Sequence, residues 1–292
     1  MTREEKLRHA LQHGLLVGDG GMGTRLHGEG VRPDQALELL NVTEPERIRA
    51  AHRAFLEAGS DVIQTNTFQG SAVSLAKHGL AERAAELNGA GAALARETAG
   101  DRAYVAGSVG PTGKLLVPYG DLGAEEAQAA FSDQVTALAD GGADLLILET
   151  FFSLEEALCA TQAAVATGLP VVVGMAFDPG GHTSFGVSPE QATEALSEAG
   201  ATLVGANCGT ISPAEMVEII RRFRAATSLP LFAQPNAGRP QQTRTGVIYP
   251  EGPESLAEAA AQFRELGATL IGGCDGTTPE HIRAVVQRLR AQ

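Results

Sequence analysis

Two cysteines in this 292-residue chain end apolar runs of the same form: "TLVGANCGT" carries Cys208 and "TLIGGCDGT" carries Cys274, with Asp275 directly after it. Two thiols and a carboxylate brought together make three anionic ligand groups. With one position left open, such a set is the arrangement of a catalytic zinc, and zinc holds a coordinated thiol as thiolate at neutral pH. The alternative is two packed thiols and a backbone cap. No CxxC pair occurs, so spacing alone leaves both readings open. The third cysteine, Cys159 in "SLEEALCA", lies in a helical run and reads as a packing residue.

Other apolar runs also stop at residues that do not suit a core: Asp19, Thr65 with Asn66, Ser108, Glu149 with Thr150, Asp178, Asn207 and Asn236. Any one of them either caps backbone amides or faces a ligand. Their recurrence at the same place in successive runs argues for a shared site. The glycines of "GDGGMGT" either let backbone amides of Gly20 and Gly21 approach a ligand carboxylate or make a tight turn needing positive φ. A dinucleotide loop would need a following helix in a βαβ unit. The next segment reads instead as long and irregular.

Positioning these residues takes eight strands. "LLVGDGG", "DVIQTNTF", "AYVAGSVGP", "DLLILETF", "PVVVGMAFD", "TLVGANCGT", "PLFAQPNAG" and "TLIGGCDGT" are short β-branched runs bounded by glycine and polar residues. Between them, stretches such as "PERIRAAHRAFLEAG" and "PAEMVEIIRRFRAA" repeat apolar residues at helical spacing. "TEPE" at 43, "SPEQ" at 188 and "SPAE" at 212 have capping-box spacing, and "EAGSDV", "DGGADL", "EAGATL" and "ELGATL" put a glycine where a left-handed helix cap is wanted. The pattern predicts an α/β chain, a (β/α)₈ TIM barrel forming a single domain over residues 1–292. A doubly wound sheet satisfies the alternation as well. In a barrel, the long connections 19–45, 110–124 and 236–253 all lie on the C-terminal face, and Cys208 and Cys274 end the sixth and eighth strands, from which side chains reach one interior layer.

Bulk properties set limits on partners. A net charge of −13 with no dense Lys/Arg block lacks the footprint of a nucleic-acid binder. No apolar run approaches the ~20 residues of a membrane span, and the opening "MTREEKLRHALQHGLLV" spreads its apolar residues unlike a signal peptide. An exposed first helix, reduced thiols and a cytoplasmic location are expected. The seven histidines show no paired spacing, and His281 reads as a surface or packing residue.

Taken together, "DGGMGTRL", "DVIQTNTFQGS", "GSVGPTGK", "LLILETF", "GANCGT", "QPNAGRP" and "IGGCDGTTPEHI" resemble the homocysteine S-methyltransferase family, closest to the homocysteine-binding domain of cobalamin-dependent methionine synthase. The resemblance implies a (β/α)₈ barrel that transfers a methyl group to the homocysteine thiol. It implies zinc held through Cys208 and Cys274, with Asp275 standing where the family has its third cysteine. It places Glu149 at the substrate ammonium and Asp19 and Asn66 in segments lining the pocket, along with Gly20, Gly21, Thr65, Ser108 and Asn207. Aspartate keeps the ligand charge and binds zinc at about 2.0–2.2 Å, but it is a harder ligand and its oxygens lie one bond further from the backbone. Asp275 is therefore either a replacement zinc ligand or a base or cation anchor for a different acceptor. This length excludes the folate and cobalamin modules, so no tightly bound cobalamin or folate is expected. The methyl group then comes from a small donor or from a separate corrinoid or other methyl-carrier protein. A catalytically weak amino-acid-binding homologue is the alternative from another class.

Overall fold

The computed structural model describes residues 1–244 and 246–291; Thr245, inside the connection 236–253, and Gln292 lie outside the described residues. Eight strands form one sheet: β1 (Leu16–Val17), β2 (Val62–Gln64), β3 (Tyr104–Val109), β4 (Leu145–Phe151), β5 (Val171–Met175), β6 (Leu203–Asn207), β7 (Leu231–Gln234) and β8 (Ala268–Ile271). Every pairing in the sheet is parallel, and the order runs from β1 through β8, β7, β6, β5, β4 and β3 to β2. The seam between β1 and β2 is closed mainly by carboxylates. Asp61 donates its amide to the Val17 carbonyl at 2.7 Å and accepts the Val17 amide at 2.9 Å, while Asp19 accepts the Gln64 amide at 2.8 Å. The sheet is thus the (β/α)₈ barrel that the alternating pattern requires.

The four helix-ending glycines behave as expected. Gly59, Gly142, Gly200 and Gly267 have φ of 105°, 101°, 95° and 92°, a region that side chains with a Cβ rarely enter. Each turns the chain from a helix into an even-numbered strand. Two residues later Asp61, Asp144 and Thr202 each use a side-chain oxygen to accept an amide from the preceding strand, Asp144 from Val105 at 2.8 Å and Thr202 from Val171 at 3.0 Å. The sequence repeat is thus a device for setting strand register.

Inside the barrel, residues alternate in and out with a period of two. Leu145 and Ile147 of β4 and Leu203 of β6 face the axis with Leu16, Val62, Ala106, Val172, Phe232 and Leu270. The Phe232 ring packs over Gly174 of β5, where a Cβ would lie 2.7 Å from it, while Gly205 of β6 lets the Phe232 backbone approach, since a Cβ there would lie 1.8 Å from the Phe232 carbonyl oxygen. A larger apolar cluster fills the layer between sheet and outer helices.

Three expectations need correction. The first helix, Arg3–His13, is not simply exposed: Leu7 and Leu11 are fully buried and join the interior cluster with Leu16 and Leu270, so the helix packs against the N-terminal end of the barrel interior. The capping boxes at Ser188 and Ser212 form, but that at Thr43 does not. Thr43 ends the short helix Leu40–Thr43 and bonds back to the Leu39 carbonyl at 3.0 Å, so it is unavailable to the helix Pro45–Ala58. The segment after Gly21 is also not irregular, because Met22–Gly28 is helical.

Leu11 has no exposed surface, and shortening it leaves a void against the barrel interior. Leu11→Ala is expected to lower stability by about 2–5 kcal/mol, read as a shifted denaturant midpoint with unchanged slope.

Candidate metal and substrate site

The alternation that buries Leu145 and Ile147 carries Glu149 inward at the C-terminal end of β4, as it carries Ser108 inward on β3 and Asn207 on β6. Glu149 is 7% exposed, Ser108 2% and Asn207 0%. The Ser108 hydroxyl donates to Glu149 Oε1 at 2.6 Å, and Asn207 Nδ2 lies 3.4 Å from Oε2. No arginine, lysine or histidine pairs with Glu149 among the described residues. Burial therefore lifts its carboxyl to about 7, against the Ser108 bond and with help from the charges of Asp19 and Asp275.

Cys208 directly follows β6, and Cys274 and Asp275 follow β8. One ligand atom from each lies within 4.8 Å of the other two. The Cys208 thiol faces Asp275 Oδ2 at 3.9 Å, and Asn207 Nδ2 faces Cys274 Sγ at 3.9 Å. A tetrahedral zinc with bonds of about 2.3 Å to sulfur and 2.1 Å to oxygen holds its donors roughly 3.5–3.8 Å apart, so small side-chain rotations suffice. The donor set fits a divalent cation. Without one, the Cys274 thiol is pushed well up by its hydrogen bond with Cys208, by burial and by the surrounding negative charges; burial also raises Asp275, although Tyr249 and Cys208 hydrogen-bond to it.

Backbone strain aims these groups. Among the described residues, Thr150 (φ 65°) and Cys208 (φ 54°) are the non-glycine residues with positive φ, and for a β-branched threonine this is an outlier that its surroundings must enforce. Asn207 does so. Its Oδ1 accepts the Thr150 amide and its Nδ2 donates to Thr150 Oγ1, both at 2.8 Å. The β4–β5 register shifts between Leu148 and Phe151, as a bulge at the rim of a barrel does. One amide side chain thus clamps the ends of β4 and β6 while touching Glu149 and Cys274.

The remaining residues singled out from the sequence take more structural parts. Asp19 is buried and accepts both the backbone and side-chain amides of Gln64; burial still lifts it to about 7. Asn66 bonds to the Leu37 carbonyl and exchanges bonds with Asn41, anchoring the connection 19–45. Thr65 pairs with Thr67 and accepts the Ser108 amide. Neither Gly20 nor Gly21 has positive φ. They allow close approach instead: a Cβ on Gly21 would lie 2.7 Å from the Cys274 carbonyl oxygen, and the Gly21 amide donates to Thr277. Asp178 accepts hydroxyls of Ser184 and Thr210 outside the cluster. Cys159 is partly buried in the outer layer, as a packing residue should be.

The sequence marks Asn236 at its strand end without a role, and it does not show the parts played by His281 and Tyr249. Asn236 accepts the Asp275 amide at 3.0 Å and donates to the Gly209 carbonyl at 2.9 Å, fixing the turns that carry Asp275 and Cys208. His281 accepts the Thr278 amide at Nδ1, so Nε2 carries the proton donated to the Glu251 carbonyl at 3.0 Å. Tyr249 reaches Asp275 from the connection 236–253. The length of that connection was the available signal.

Comparison with known proteins agrees with this geometry. The homocysteine S-methyltransferase family model matches residues 16–289. Methionine synthases of Mycobacterium leprae and Mycobacterium tuberculosis are each 34% identical over 298 aligned positions, covering 96% of this chain but 24% and 25% of their own lengths. The chain thus spans about a quarter of those relatives. The homocysteine methyltransferase MmuM from Escherichia coli, in its metallated form, superposes with a TM-score of 0.79 at 28% identity, covering 94% of this chain and 96% of that one. A match that begins with β1, runs through all eight strands and ends in the last helix makes this chain a member of the homocysteine S-methyltransferase family.

Proposed function

We propose that this barrel binds homocysteine and transfers a methyl group to its thiol, giving methionine, with zinc held by Cys208, Cys274 and Asp275. The observation that carries this is Asn207. Its single Nδ2 touches both Glu149, a buried carboxylate with no cation, and Cys274 of the metal cluster. An ammonium subsite and a thiol-binding metal subsite one side chain apart suit a short amino acid with a terminal thiol.

The residues divide the work. Glu149, oriented by Ser108 and Asn207, receives the substrate ammonium and fixes the amino-acid end. Cys208, Cys274 and Asp275 hold zinc, which when bound supplies the charge that favours the thiolate form of the substrate sulfur. The thiol proton leaves to solvent at the open mouth. The sulfur lone pair then displaces the leaving group at the methyl carbon, which needs an in-line approach at about 3–3.5 Å. The donor enters from the C-terminal face, either as a small sulfonium compound or as methylcobalamin carried by a separate protein. We further propose that the barrel itself holds no tightly bound cobalamin or folate. Purified zinc-loaded protein is expected to form methionine from homocysteine and one of these donors. Zinc bound but no homocysteine affinity would overturn the assignment and favour a different acceptor.

Two variants probe the division. Asp275→Cys restores a softer ligand and is expected to raise zinc affinity roughly tenfold or more and to speed methyl transfer, both measured against a chelator-buffered zinc series. Methionine, which has no thiol proton, isolates the ammonium subsite. Because the free Glu149 carboxyl sits near 7 and must be ionised to pair with the ammonium, methionine affinity should rise as pH increases from about 6 to 8. Glu149→Gln should flatten that rise and weaken binding by about 2–5 kcal/mol, as followed by calorimetry.

A further inference from the structure

Replacing a thiolate by a carboxylate creates a positioning problem. A thiolate offers one soft donor atom; a carboxylate offers two oxygens and can swing between one-point and two-point binding. Something must hold the second oxygen. The connection after β7 leaves the barrel, forms the hairpin Gln241–Thr243 with Gly246–Ile248, and returns over the mouth at Tyr249. Val247 and Ile248 are 50% and 47% exposed, whereas Tyr249 turns inward and is partly buried. Its ring lies on Gly276, the residue after Asp275: a Cβ there would sit 2.4 Å from Tyr249 Cβ and 2.5 Å from Cγ. Gly276 also has a φ of 75°, so both space and backbone demand glycine beneath the ring.

The tyrosine is tied to the ligand it faces. With the ring seated on Gly276, its hydroxyl is near enough to the Asp275 carboxylate for the two groups to shift each other's ionisation. The base of the connection is fixed to the same turn, because the Ala237 amide donates to the Asp275 carbonyl at 2.9 Å and Asn236 accepts the Asp275 amide. Its far end is fixed by the Glu251 amide on the Ala237 carbonyl and by His281 on the Glu251 carbonyl, each at 3.0 Å.

We propose that Tyr249 is a positioning residue for the metal: its hydroxyl holds one oxygen of Asp275 and leaves the other free to ligate a divalent cation beside Cys208 and Cys274. The aspartate and tyrosine together replace one thiolate. Outer partners of metal ligands change affinity by about 10–100-fold when removed, and sulfur is a weak acceptor for the same hydroxyl, so the contribution belongs to the carboxylate. This inference rests on the metal site proposed above.

The test is a cycle of Co²⁺ and Zn²⁺ affinities, with Co²⁺ read by its thiolate and ligand-field absorbance, for the wild type, Tyr249→Phe, Asp275→Cys and the double variant. Phenylalanine keeps the ring on Gly276. Tyr249→Phe should weaken binding roughly tenfold with Asp275 present and by less than about twofold in the Asp275→Cys background. An equal loss in both backgrounds assigns Tyr249 a merely structural part and overturns the proposal, as does no loss with Asp275. Absence of any cysteine-ligated metal in the wild type overturns the metal site itself, a result separable from either.

Discussion

The mouth of this barrel gathers Asp19, Glu149, Cys208, Cys274 and Asp275 without a basic residue paired to any of them among the described residues. In a low-dielectric pocket such groups cannot all ionise unless a cation enters. Burial alone lifts Asp19 to about 7, and burial, with a smaller contribution from the charges of Asp19 and Asp275, lifts Glu149 as far. The sign of the linkage follows: an acid whose folded pKa exceeds its unfolded value makes the fold less stable as pH rises between the two, here from about 4 to 7. On the function proposed for this site, a divalent metal and a substrate ammonium would remove that penalty by replacing protons.

The rest of the architecture keeps that pocket from collapsing. Among the described residues, the two non-glycine residues with positive φ, Thr150 and Cys208, lie at the C-terminal ends of β4 and β6, on either side of β5, and Asn207 bonds to Thr150 through both ends of its amide. Strain of order 1–3 kcal/mol per residue persists only where neighbours over-determine it. Below, the apolar layers around Phe232 and the plug formed by Leu7 and Leu11 make the floor rigid. Polar residues at the top can then be poorly neutralised because the layers beneath them are well packed.

How much of this was readable before folding differs by kind of information. The barrel was legible because each strand and each helix end carries its own local signal, down to the glycines at 59, 142, 200 and 267. The meeting of Cys208, Cys274 and Asp275 was legible because strand order brings the ends of β6 and β8 to one layer. What escaped depends on contacts between distant loops. Asn66 bonds to Asn41, a partner that neither spacing nor periodicity specifies. Thr43 has capping-box spacing but belongs to the preceding turn. Tyr249 lies in a hairpin of weak pattern, and only its return onto Gly276 gives it meaning.

The exchange of a thiolate for Asp275 then has a consequence for reactivity. Carboxylate oxygen donates less electron density than thiolate sulfur, and the Tyr249 hydroxyl proposed to hold Asp275 would withdraw a little more. A metal held this way stays more electrophilic, which favours ionisation of a bound thiol but lowers the nucleophilicity of the resulting sulfur. These effects oppose one another: the first helps most at low pH, where thiol ionisation limits, and the second hurts most where ionisation is already complete. In the reaction proposed for this barrel, a cluster of two thiolates and a carboxylate would therefore shift useful methyl transfer toward lower pH or toward more activated methyl donors. The Asn207 clamp makes no bond to Asp275, so its hold on Glu149 and Thr150 does not depend on the third ligand.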